Sequence, residues 1–197
     1  MGNIGSVVGA LTYLEENVVV SGDPDVVLNS SSLVLPGVGS FFQAMASLEA
    51  IGMDKALLTA VSNKQAKLLG ICLGMQLLNQ WGDEGGGRAG LGIAPGRVQR
   101  FDAENLGSKH LNIGFSEVTF ANADGIYEGF HGGVDFYFVH EYRVGNDAFG
   151  PEWSIGISNH DEPFVASFEK DNVMGVQFHP EKSQTNGLRL LSNFLRK

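Results

Sequence analysis

A doubly wound, mostly parallel α/β fold is predicted by three observations on the sequence. Short aliphatic runs alternate with stretches of helical periodicity through the N-terminal part of the chain, the order that builds strand-helix-strand units and a parallel sheet. The run Leu68-Leu69-Gly70-Ile71 is continuously apolar, as a buried strand is. Beyond Arg97 the texture changes to closely spaced β-type runs divided by turn residues, which adds antiparallel strands to the parallel core.

Taken in order, Val7, Val8, Leu11 and Leu14 recur at helical spacing within Ile4 to Glu16, so the chain begins on a helix. Val18-Val19-Val20-Ser21 reads as a strand, and Asp23-Pro24-Asp25 starts a short helical or irregular segment through Leu28. Leu33-Val34-Leu35 is a buried strand ending at Pro36-Gly37-Val38-Gly39, whose glycines let backbone approach a ligand. Helices follow from Ser40 to Ala50 and from Met53 to Ser62, then the strand that reaches Cys72 and a short helix from Leu73 to Gln80. Gly85-Gly86-Gly87-Arg88-Ala89-Gly90-Leu91-Gly92 lacks the preceding strand and the following Lys-Ser/Thr of a phosphate-binding loop, and is expected to be a mobile surface loop. The later β segments are Val98 to Phe101, Ile113 to Phe120, Phe136 to Tyr142, Ile155 to Ser158, Phe164 to Phe168 and Val173 to Phe178. A last helix, Gly187 to Arg196, carries Leu188, Leu190, Leu191, Phe194 and Leu195 on a broad apolar face.

With 197 residues, 43% of them hydrophobic, the chain suits one domain spanning 1–197 around a sizeable core. A formal net charge of −9 argues against a nucleic-acid surface, which needs clustered Lys and Arg, and favours small molecules or a protein partner. The single Cys excludes an internal disulfide framework, and no run is long enough to span a bilayer. The expected compartment is the cytoplasm, where a thiol stays reduced.

That single thiol, Cys72, sits between Gly70 and Gly74 at a strand-to-helix turn, the setting of a nucleophile elbow. A free Cys in an apolar segment is more often a small core hydrophobe. The segment Gly175-Val176-Gln177-Phe178-His179-Pro180-Glu181-Lys182-Ser183 changes that balance. Pro180 biases His179 towards extended backbone, and residues i and i+2 of an extended chain share a side. His179 and Glu181 therefore project together from a strand end. A carboxylate that orients an imidazole, with a thiol beside it, is the arrangement that activates sulfur, since a free thiol is only a few per cent ionised at neutral pH. His110, His131 and His160 show no metal-ligand spacing, and neither a metal nor a cofactor is expected.

Together the two motifs resemble those of the class I (triad) glutamine amidotransferases, with the nucleophile in Gly70 to Gln76 and the His and Glu in Gln177 to Ser183. Within that class, Leu33 to Phe41, Gly96 to Phe101, Phe136 to Tyr142 and His179 to Leu195 look like the pattern of the glutaminase subunit of imidazole glycerol phosphate synthase. The resemblance implies a flavodoxin-like sheet docked as a heterodimer on a (β/α)8 cyclase. Ammonia released from glutamine would cross that barrel to make imidazole glycerol phosphate and AICAR in histidine biosynthesis. It also implies roles. Cys72 attacks the carboxamide, His179 exchanges protons and Glu181 orients it. Backbone N–H groups of Leu73 and, after adjustment of its strand end, Val38 hold the oxyanion, while Gln76 and Glu84 bind the glutamine. His140 supports a wall of the site or the partner interface.

Three departures from the family pattern stand out. The family begins with a strand ahead of the Met-Gly-Asn that opens this chain, so the functional start is expected upstream of Met1; intact-mass analysis of the natural product can refute this. Leu111-Asn112-Ile113-Gly114-Phe115-Ser116 replaces a Pro-His-x-Gly-Trp-Asn pattern, and Glu141 stands in place of a small hydroxyl residue. These keep a paralogous reading open, in which the glutaminase supplies ammonia to a surface-sugar amidotransferase. A stand-alone Cys hydrolase and a non-catalytic docking module are further alternatives.

Overall fold

The computed structural model describes residues 4–64, 66–101 and 110–196; Met1 to Asn3 and Lys197 of the expected domain lie outside them. The elements run α1 (Ile4–Tyr13), α2 (Pro24–Leu28), β1 (Ser32–Gly37), α3 (Phe41–Ala50), α4 (Met53–Lys64), β2 (Lys67–Cys72) and α5 (Leu73–Leu78). They continue with β3 (Trp81–Gly82), β4 (Arg88–Ala89), β5 (Arg97–Arg100), β6 (Asn112–Phe120), β7 (Val134–His140) and β8 (Tyr142–Val144). β9 (Ser154–His160), β10 (Glu162–Lys170), β11 (Val173–Val176) and α6 (Gln184–Arg196) complete the chain. No helix among the described residues is long and apolar enough to cross a membrane.

Seven strands form the main sheet in the order β1-β2-β11-β10-β9-β6-β7. β2 pairs parallel with β1 on one side and with β11 on the other, and the remaining strands are added antiparallel. The sheet curls, so that the segment after β11 meets the far edge: His179 N–H donates to the Tyr137 carbonyl of β7 at 2.8 Å. β2 explains why its sequence is apolar without alternation. Leu69 and Ile71 enter a core with α1, α6 and the aromatic residues of β7 and β10, while Leu68 enters a second core with α3, α4 and α5. A strand covered on both faces needs apolar residues at successive positions.

Three expectations are corrected. Val18 to Ser21 forms no strand, and Val19 and Val20 are 72% and 62% exposed. The segment pairs with no strand of the described residues although the outer edge of β1 is open, and β-propensity alone does not hold a strand. The glycine-rich stretch is ordered rather than loose. Arg88–Ala89 pairs with Trp81–Gly82 in a second, four-stranded sheet, order β4-β3-β5-β8, and Gly87 (φ +88°) lies where a Cβ would press into the Trp81 ring. Phe136 to Tyr142 is broken at Glu141: β7 belongs to the main sheet and β8 to the small one.

Candidate active site

Register builds the site. Gly37 of β1 is level with Cys72 of β2, and Val176 of β11 with Ile71, so three neighbouring parallel strands end together. Their next residues, Val38, Leu73 and Gln177 leading to His179, emerge at one place, the carboxyl end of the sheet where α/β folds bind ligands.

Cys72 itself takes the unusual backbone, φ +54° and ψ −112°, as the last residue of β2 and the N-cap of α5. Strain of this kind at a non-glycine residue persists only where the surroundings hold it, and is characteristic of functional sites. The flanking glycines serve close backbone packing. Neither has positive φ; a Cβ on Gly74 would collide with the Leu35 carbonyl oxygen, and one on Gly70 would lie 2.7 Å from the Met75 nitrogen. They let β1, β2 and the start of α5 approach at backbone distance.

His179 is fixed from several sides. Its N–H is held by β7, and Ser183 Oγ donates to its carbonyl at 2.7 Å while accepting from Tyr137 N–H at 2.9 Å. Its Nδ1 lies 2.7 Å from Glu181 Oε1, and the side chains of the pair are 2% and 0% exposed, out of reach of solvent screening. Burial pulls the ring towards its neutral form, but hydrogen bonds to Cys72 and Glu181 outweigh it and raise the His179 pKa to about 9. The ring is therefore an imidazolium at neutral pH, between a carboxylate and a sulfur.

A cavity of about 220 Å³ opens over the sulfur, lined among others by Val38, Cys72, Leu73, Gln76, Glu84 and His179. The structure thus brings together every site residue expected from sequence, with Glu181 behind His179 rather than on the cavity wall. Glu84 is tied to the scaffold, since its Oε2 accepts from Phe41 N–H at the start of α3, at 2.5 Å. His140 lies in the wall. Its Nδ1 is 2.8 Å from the Tyr142 carbonyl, Asn112 Nδ2 is 3.0 Å from its Nε2, and Phe101, Phe138 and Phe164 surround the ring. Burial pushes its pKa down to about 3, so it stays neutral. Among the described residues no cluster of His, Cys, Asp and Glu could hold a metal ion.

Two features went unread in the sequence. Tyr142 and Lys182 also line the cavity, and the fully buried Gln177 directs its Nε2 at Cys72 Sγ, 3.8 Å away. The signal for Gln177 was present: it precedes His179 by two positions, as His179 precedes Glu181.

A thiol at a strained strand-to-helix elbow, facing an imidazole-carboxylate pair across a parallel sheet, is the layout of an α/β protein that works through a cysteine. The chain belongs to the class-I glutamine amidotransferase family, whose family model matches residues 15–197. It is 41% identical over 194 residues to the imidazole glycerol phosphate synthase subunit HisH of Moorella thermoacetica, covering 98% of this chain and 90% of that one. Against HisH 1 of Campylobacter jejuni the identity is 40% over 195 residues, covering 99% and 95%. Its fold is similar to a crystal structure of a glutamine amidotransferase (TM-score 0.76, 18% identity, 99% and 93% covered). It also resembles the glutaminase domain of Trypanosoma brucei CTPS with bound acivicin (TM-score 0.67, 16% identity, 98% and 88% covered).

Proposed function

We propose that this chain is the glutaminase subunit of an imidazole glycerol phosphate synthase, hydrolysing glutamine through Cys72, His179 and Glu181 and passing ammonia to a (β/α)8 cyclase in the cytoplasm. One observation carries the chemistry: Cys72, held at positive φ, faces a buried His179-Glu181 pair. Its sulfur attacks the carboxamide carbon of glutamine, and the resulting oxyanion is held by the backbone N–H groups of Leu73 and Val38. His179, as imidazolium, donates its proton to the departing ammonia, leaving a thioester on Cys72. The now neutral ring takes a proton from water, whose oxygen attacks the thioester; sulfur leaves and glutamate is released. Glu181 keeps the ring oriented and balances its charge. Gln76 and Glu84 hold the amino-acid end of the substrate, the Glu84 carboxylate matching its ammonium group.

Docking has a natural surface beside this cavity. Leu111, just ahead of β6, and Ile113 and Phe115 on it are 42%, 61% and 51% exposed, and Phe115 meets Tyr137, over which Lys182 lies. An apolar patch rimmed by polar groups next to a site marks a partner face. The test is glutamate release by the isolated chain, then with a barrel cyclase and its nucleotide acceptor. The proposal expects weak turnover alone and strong activation in the complex; equal turnover in both would identify a stand-alone hydrolase.

A further inference from the structure

Gln177 and Gln76 form a directed hydrogen-bond chain that ends on the nucleophile. Gln76 Nε2 lies 3.0 Å from the Tyr142 carbonyl oxygen and 3.0 Å from Gln177 Oε1, and Gln177 Nε2 lies 3.8 Å from Cys72 Sγ. One atom fixes the direction of the whole chain. A backbone carbonyl only accepts, so Gln76 must present its NH2 group to Tyr142. The same group then serves Gln177, which must answer with its oxygen and is left with only its NH2 for the sulfur. Gln177 is fully buried, so its amide has no water as an alternative partner, and Gln76 meets the cavity only with the side left over from these two bonds. The Tyr142 carbonyl is itself held, since the neutral His140 donates to it from Nδ1.

We propose that Gln177 is a positioning residue for the amidotransferase reaction: it donates a hydrogen bond to Cys72 Sγ that favours the thiolate, and it clamps Gln76 so that the Gln76 carbonyl oxygen is the atom offered to substrate. A donor at sulfur stabilises the ionised form, because a thiolate accepts hydrogen bonds far better than a thiol does. Gln76 has both its hydrogens committed and lines the cavity, so its oxygen is set to accept from the ammonium of bound glutamine. Only this second half rests on the glutaminase reading. Binding and activation thereby share one rigid element, with the Gln76 amide touching substrate on one side and orienting the sulfur's donor on the other.

The test uses the full chain and iodoacetamide, a small primary amide that reports thiolate without requiring turnover. Gln177→Met removes donor and acceptor at similar volume; Gln177→Glu keeps an oxygen for Gln76 and loses the donor. The other titratable groups around the sulfur, His179 with Glu181, Glu84, His140, Glu141, Tyr142 and Lys182, stay in place. Both variants, with circular dichroism and melting confirming the fold, are expected to alkylate about tenfold more slowly than wild type at pH 7. For Gln177→Met the difference shrinks below about twofold at pH 10, above the ordinary thiol range of about 8.5. A folded variant of either kind that alkylates at the wild-type rate at pH 7 overturns the proposal. So does a Gln177→Met deficit that persists at pH 10, which would mean a blocked cavity. With glutamine, Gln177→Met raises KM as well as lowering kcat; an unchanged KM overturns the clamp. Absence of glutaminase activity in the wild type would count against the function proposed above and leave the alkylation result standing.

Discussion

β1 and β2 lie side by side and deliver neighbouring parts of the site, yet they are held very differently. β2 is paired on both edges and buried from Leu68 to Cys72, whereas β1 is the end of the sheet and only half-buried along its length. The proposed nucleophile thus stands on a strand paired along both edges, and Val38, the proposed oxyanion donor, follows an end strand. Chemistry that needs a fixed sulfur gains from the first arrangement. An oxyanion donor that must settle into place when substrate or a partner arrives gains from the second, because edge strands unfold and shift locally at lower free energy.

Breaking each half separately sharpens the comparison. Cys72→Ala removes the group on which every step of the proposed reaction depends and is expected to lower glutamine hydrolysis about 10⁴-fold or more with melting unchanged. Residual ammonia-dependent synthesis by the partnered enzyme would confirm that the partner's site is intact. Val38→Pro deletes one N–H at a position without positive φ, and the preceding Gly37 is already extended in β1. About 10²- to 10³-fold in kcat is expected, the size of one oxyanion donor. A wild-type kcat would show that Val38 does not hold the oxyanion.

Stability separates the strands in the same way. Gly70→Ala, on β2, drives a methyl group to 2.7 Å from the Met75 nitrogen of the buried helix α5, where backbone meets backbone and nothing is free to move, so a loss of about 3 kcal/mol is expected in urea unfolding. Gly37→Ala places its methyl 3.1 Å from Leu73 Cβ, with the half-buried edge strand able to give, and should cost about 1 kcal/mol. Equal losses at the two positions would mean that β1 is as constrained as β2.

Much of the site was legible in the sequence because it lies on contiguous motifs. Cys72, His179 and Glu181 announce themselves by residue type and spacing, and β2 by an apolar run that only a doubly covered strand requires. What escaped depends on partners distant in the chain. Val18 to Ser21 has strand composition but pairs with no strand of the described residues, and the glycines after Asp83 look loose until Trp81 is seen above them. The bracket around Cys72 was legible as important but not as to cause, since collision with Leu35 arises from a strand more than thirty positions earlier in sequence. Glu141 could not be seen as a break, because the change from one sheet to another leaves no mark in a run of aromatic and aliphatic residues.

The two histidines divide the pH response. His179, raised to about 9, binds a proton more tightly folded than unfolded, so its contribution to stability is full below about 6.5 and is lost as pH rises through 9. His140, lowered to about 3, resists a proton that the unfolded chain accepts, so its contribution is full above 6.5 and is lost as pH falls towards 3. Their sum peaks near pH 6.5, with slopes of at most about 1.4 kcal/mol per pH unit on either side. Denaturant titrations across pH 4 to 10 measure this. His179→Gln should flatten the alkaline slope alone, and His140→Gln the acid slope alone. For activity, kcat/KM should fall above about pH 9 as the imidazolium that protonates ammonia is lost, with no limb from His140.

The smallest effect is expected at Glu141, where the chain passes from the main sheet to the small one. Its carboxylate lies 2.7 Å from Arg100 of β5, but the two side chains are 43% and 51% exposed, so water and salt screen the pair and side-chain entropy opposes it. What holds the junction is backbone: Phe101 N–H donates to the Glu141 carbonyl, and β5 pairs with β8 in register. Those bonds survive any side chain at the position. Glu141→Thr should therefore change unfolding free energy by less than about 1 kcal/mol, and less still in 1 M salt. Glu141 lines the cavity as Glu84 does, so the same substitution tests whether one carboxylate or two receive the ammonium of the proposed substrate glutamine. With Glu84 tied to α3 and already placed, KM for glutamine should change no more than about threefold for Glu141→Thr. A tenfold rise would move the ammonium site to the sheet junction.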